Sequence, residues 1–153
     1  MGIQGISGLN RLGESFDRLL ESMPDKRRQL HEAIADKAVQ EVHSDIDKNL
    51  NDNNDKIKGW QEGSVGSGGG YAAVRAIKGE TGANSPGAIT NYLESGHAIR
   101  RPRVDRPMSQ RRVKMAAVAG RGFYADAKVN AEAIAIGLCE QFAEDLARGI
   151  GNA

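Results

Sequence analysis

Cysteine occurs once in the 153 residues, at Cys139, so no internal disulfide can form. Three histidines, His31, His43 and His97, are too few and too scattered for a zinc-type Cys/His cluster. Aromatic side chains make up 5% of the chain, which excludes a platform of exposed rings for stacking single-stranded nucleic acid. No apolar run nears the ~20 residues of a membrane span. Residues 1–13 lack the cationic segment and apolar core of a secretory signal. These absences lead us to expect a protein folded in a reducing cytoplasm, with no membrane partner.

Charge is balanced in total and uneven in place. The formal net charge is +1, yet residues 100–114 carry Arg100, Arg101, Arg103, Arg106, Arg111, Arg112 and Lys114 against one acid, Asp105. That segment therefore holds +6 and the other 138 residues together hold −5. One concentrated basic element on an acidic remainder is the sharpest charge feature of the chain.

Apolar spacing places helices at both ends. Leu9, Leu12, Phe16, Leu19, Leu20 and Met23 recur every three or four residues. Pro24 interrupts the run and suits the first turn of a second helix, with Ser22 as its cap. From there Leu30, Ile34, Ala38, Val42, Ile46 and Leu50 recur at i+4, and the Asn/Asp cluster over 49–54 marks the exit. A final helix over 124–150 puts Ala131, Ile134, Ala135, Leu138, Phe142, Leu146 and Ile150 on one face, with Gly151 as its terminator.

The middle third has a different character. Ten of the 19 glycines fall between Gly59 and Gly96, and no helical period survives among them. Trp60 precedes the tract Gly66, Ser67, Gly68, Gly69, Gly70, and weak alternation follows over 71–78. We read a hairpin with a long glycine tip, mobile in the free chain and ordered on assembly. Residues 88–95 fit helix or strand, 97–112 read as a loop or extended arm broken by Pro102 and Pro107, and Val113, Met115 and Ala117 suggest one more strand. The expected fold is a single α+β domain over 1–153. Helices over 1–50, a small mainly antiparallel sheet with glycine loop and basic arm over 59–118, and a last helix over 123–150 make it up.

Catalytic patterns are missing. His31 and His43 lie more than three helical turns apart, too far to share a metal, and His31-Glu32 has no second histidine at zinc-protease spacing. Cys139 falls on the apolar side of the last helix and reads as a small core residue. The glycine tract lacks the Lys and Ser/Thr of a phosphate loop and is followed by Tyr71. Carboxylates alternate with Lys and Arg along helix faces, as solvated surface does. We expect no enzyme, no metal and no cofactor.

Three stretches resemble the tail-completion, or minor tail component, family of long-tailed bacteriophages. Ile6-Ser7-Gly8-Leu9 before an amphipathic helix is similar to that family's opening. Asn91-Tyr92-Leu93-Glu94-Ser95-Gly96-His97 resembles its aromatic, apolar, Glu, small, Gly signature. Gly120-Arg121-Gly122-Phe123-Tyr124-Ala125-Asp126-Ala127 resembles the start of its last helix, with Gly122 where proline is usual. The loop after Gly96 is longer and more basic than is typical. The resemblance runs in order over nearly the whole chain. It implies a non-enzymatic virion component at the head-proximal end of the tail, assembled in the host cytoplasm as a homo-oligomeric, hexameric ring. Its implied partners are tail-terminator or tail-tube proteins and head–neck connector proteins, with genome DNA passing through the lumen. Residues 100–114 are then the subunit, partner or DNA-channel contacts, and Gly66, Gly68, Gly69 and Gly70 form the assembly loop. The rival reading is a small nucleic-acid-binding protein that grips phosphates through Arg100, Arg101, Arg103, Arg106, Arg111, Arg112 and Lys114. An ordinary solvated loop and an unrecognised hydrolase complete the alternatives.

Overall fold

A computed structural model of the chain describes residues 3–52, 54–79, 81–98 and 117–151, with the side chains of 3–7, 9 and 151 left out. The fold is α+β, with 67% of the described residues helical and long helices packed on two small antiparallel two-stranded sheets. Helix α1 covers Ile3–Asn49 and is followed by a 3-10 turn, Lys58–Trp60. Strands β1 (Gln61–Val65) and β2 (Ala72–Ala76) form the first sheet. Helix α2 (Pro86–Ser95), strands β3 (Gly96–Ala98) and β4 (Ala117–Ala119), and helix α3 (Phe123–Gly151) complete the order.

Pro24 corrects the reading of two N-terminal helices, because it lies inside one continuous helix. Its ring removes the N–H that would meet the Leu20 carbonyl, but Leu20 lies on an exposed turn, 66% accessible. Ser22 does not cap a new helix; its hydroxyl donates to the Leu19 carbonyl at 3.0 Å, within the same helix. Where 88–95 admits either reading, the structure holds helix. Ser85 accepts the Ala88 N–H at 3.2 Å and Pro86 occupies the first turn, where a missing N–H costs nothing. The basic arm begins later than expected, since His97 and Ala98 belong to β3. Of the last strand's residues, Ala117 lies in β4, while Val113 and Met115 fall outside the described residues.

The chain divides into two compact units. Unit 1 comprises Met1–Glu41, Gly63–Val74 and Lys128–Ala153. In it the first sheet meets α1 closely, because a Cβ on Gly63 would lie 3.1 Å from that of Ala35, which is buried. Leu30 of α1 and Leu138, Phe142 and Leu146 of α3 line a groove of about 430 Å³, as the two apolar stripes require. Asn130 bridges to Glu41 at 3.1 Å along the same two helices.

Unit 2 comprises Val42–Glu62 and Arg75–Ala127. Its apolar core is Val42, Ile46, Phe123 and Ala127, and Phe123 and Ile46 are fully buried. Asn49 donates to Asp126 at 3.1 Å. Asp52 closes the exit from α1 by accepting the backbone N–H groups of Lys56, Ile57 and Lys58 at 2.8–3.0 Å.

Candidate interaction surfaces

Helix α3 begins with Gly122 before Phe123, so no local side chain can cap its first N–H groups. The cap comes from far along the chain. Glu94, near the end of α2, accepts the Tyr124 N–H at 2.9 Å and the Ala125 N–H at 3.2 Å through its two carboxylate oxygens. A carboxylate there also faces the positive end of the helix dipole. The backbone locks the same junction, with Arg121 N–H donating to the Leu93 carbonyl and Gly122 N–H to that of Glu94.

Two glycines let these segments meet. Gly96 has φ +76°, and a Cβ on it would fall 2.4 Å from the Val118 carbonyl oxygen. One on Gly120 would fall 2.2 Å from the Glu94 carbonyl oxygen. The stretches 91–97 and 120–127, which sequence reading singled out separately, therefore form one built junction.

A buried polar chain extends it. The Tyr124 hydroxyl donates to Gln61 Oε1, and Gln61 Nε2 donates to the Ile57 carbonyl at 2.9 Å and Thr90 Oγ1 at 3.3 Å. Burial first, and then the Glu94 carboxylate, push the Tyr124 hydroxyl up to about 12. A phenol held neutral and donating is a positioning group.

Arg100, Arg101, Arg103, Arg106, Arg111, Arg112 and Lys114 all lie outside the described residues. Their stem is described. Gly96 pairs with Ala119, His97 with Val118 and Ala98 with Ala117. Ala98 and Ala117 thus stand one strand spacing apart, about 5 Å, and the seven cations are carried between them. Tyr92 packs against His97 with ring centroids 5.3 Å apart, and Tyr92, His97 and Val118 are exposed beside the stem.

The glycine tract forms the hairpin tip over 66–71, between β1 and β2, as expected. Gly66 N–H donates to the Tyr71 carbonyl at 3.0 Å and Gly69 N–H to that of Gly66 at 2.7 Å. Two arginines of α1 clasp it. Arg27 donates to the Gly68 carbonyl at 2.9 Å and Arg28 to the Ser67 carbonyl at 3.1 Å. A Cβ on Gly66 would meet the exposed Tyr71 ring, which would have to move aside, and Gly69 is favoured because φ is +63° against the Arg28 backbone. Gly68 and Gly70 face open space, so their identity answers no local steric demand.

Several other polar residues find partners within the fold, while Asp45 Oδ2 is buried with no hydrogen-bond partner among the described residues. Lys58 sits between Asp47 and Asp55 at 2.8 and 2.6 Å, and these carboxylates hold its ammonium above the usual lysine range. His43 Nε2 meets the Lys58 carbonyl at 3.0 Å, and His31 Nδ1 the Arg27 carbonyl at 2.9 Å. Among the described residues no group of three or more His, Cys, Asp or Glu is placed to hold a metal. Cys139 is a correction, being exposed; one residue beyond the inward Leu138, it turns ~100° away around the helix.

Sequence reading missed the Glu94 cap and the Arg27–Arg28 clasp. A signal for the first exists, since a helix preceded by glycine and carrying no local cap needs an acceptor from elsewhere. For the second none exists, because adjacent arginines on a helix surface look like solvated charge. Comparison with protein-family models finds no match. Comparisons with curated proteins and with solved structures find none either.

Proposed function

We propose that the protein is a non-enzymatic structural subunit of a long-tailed bacteriophage virion. It completes the head-proximal end of the tail and helps join tail to head as part of a hexameric ring. Its partners in this reading are copies of itself, tail-terminator or tail-tube proteins and head–neck connector proteins, with genome DNA passing through the lumen. The observation that supports it is the junction of 91–97 with 120–127 through Glu94, Gly96 and Gly120. Two of the stretches that resemble the family thereby answer to one physical need, a capped helix locked against a two-stranded stem. In this reading the rigid helices carry the basic arm, whose arginines pair bidentately with carboxylates of a neighbour.

The +6 charge gathered over 100–114 favours one rival, phosphate binding by the same arm. A triple variant, Arg100→Ala, Arg101→Ala and Arg103→Ala, separates the two. Protein docking predicts lost head–tail joining with the fold retained, each charge-assisted bond being worth ~1.5–3 kcal/mol. Normal joining, together with a lost DNA affinity whose salt slope falls by about one per contact removed, would replace docking by DNA binding.

A further inference from the structure

We infer that unit 1 carries both halves of a head-to-tail contact between copies of this chain, the clasped hairpin tip of one docking on the outer face of α3 of the next. The inference rests on the ring reading and supplies surfaces for it within the described residues.

The first half is the tip. Arg27 and Arg28 each place a guanidinium on consecutive loop carbonyls, those of Gly68 and Ser67. Each bond uses one of five N–H donors. The loop thus fixes both cations, which removes much of the side-chain entropy that docking would otherwise cost. Among the described residues neither arginine has a carboxylate partner. Tyr71, 60% exposed, adds an apolar surface at the same tip.

The second half has the opposite charge. Glu132, Ile136 and Glu140 lie at i, i+4 and i+8 on α3, which sets the two carboxylates about 12 Å apart with an isoleucine between them. Ile136 is 60% exposed and Val129, on the same face, 69%. Glu132 holds only an exposed lysine, Lys128, at 3.6 Å, a pair that exchanges readily. Glu140 has no ion-pair partner among the described residues. Two fixed cations beside a tyrosine match two carboxylates around an apolar centre. The two surfaces differ, so the contact is heterologous, and such a contact closes into a ring where the rotation between copies completes a turn.

Charge reversal provides the test, read by mass in solution. Arg27→Glu with Arg28→Glu, and separately Glu132→Arg with Glu140→Arg, should each lower the association constant at least tenfold while circular dichroism matches the parent. Mixed one to one, the two variants should assemble again, because each then meets an opposite charge at both surfaces. A mixture that stays dissociated, or reversals that leave the parent's assembly unchanged, would overturn the contact while leaving a ring built by other faces possible. Ser67→Cys gives a second reading that does not depend on reversal. Ser67 is exposed at the tip and Cys139 is exposed on α3 next to Ile136. Mild oxidation should produce a ladder of trimers and larger species, abolished by Cys139→Ala. Dimers alone, or no cross-link, would overturn the contact; whether the chain completes tails is decided separately by particle assembly.

Discussion

Gly96, Gly120 and Gly69 are glycines for different reasons, and substitution should separate them. Alanine at Gly96 or Gly120 would drive a methyl into backbone carbonyls that cannot swing aside. We expect losses of about 1–3 kcal/mol from overpacking alone. Gly69→Ala should cost about 1–2 kcal/mol for its left-handed backbone. Gly68→Ala, facing open space, should stay within about 0.5 kcal/mol. Denaturant unfolding of the four variants checks the ranking. Glu94→Ala should cost about 0.5–2 kcal/mol, as lost caps do. Tyr124 has its own signature in alkali. Its folded value of about 12 lies above the ordinary 10. The stabilisation it supplies is therefore whole below pH 10 and is lost as pH rises through about 12. Tyrosinate absorbance should show one late phase, and Tyr124→Phe should remove it.

At the scale of elements, the long helices were legible because their apolar residues recur with a helical period that packing then uses. Leu30, Leu138, Phe142 and Leu146, picked from spacing, line one groove. The hairpin was legible from its glycines and flanking alternation. Pro24 misled, because a proline inside a helix and one at a helix start look alike until the preceding carbonyl's surroundings are known. Pro24→Ala should therefore raise stability by up to about 3 kcal/mol, with helical circular dichroism unchanged or increased. Phe142 is half-buried and lines an open groove, so Phe142→Ala should cost less than the ~3–5 kcal/mol of a fully enclosed aromatic. The tip's place was legible from its glycines, whereas its ties to Arg27 and Arg28, 41 and 39 residues away in sequence, were not. Hydrogen exchange should find the Gly66 and Gly69 amides protected relative to those of Gly68 and Gly70 in the free chain.

At the scale of the whole molecule, two compact units and a stem whose strands flank the basic segment in sequence are what the chain offers. The junction that fixes the stem, Glu94 on α3 with Gly96 against Val118, was legible only in part. Sequence marked both stretches but could not say that they touch, since nothing local encodes a cap 30 residues away. The arm's charge is read directly from composition, while its partner is a matter of surfaces on other molecules. The reading of the whole as a tail-completion subunit is tested most directly by electron microscopy of particles made without this chain. Tails of full length that remain unjoined to heads, or ragged at their upper ends, are the predicted result, reversed when the protein is added back. Heads joined to tails at the normal frequency in its absence would contradict the account.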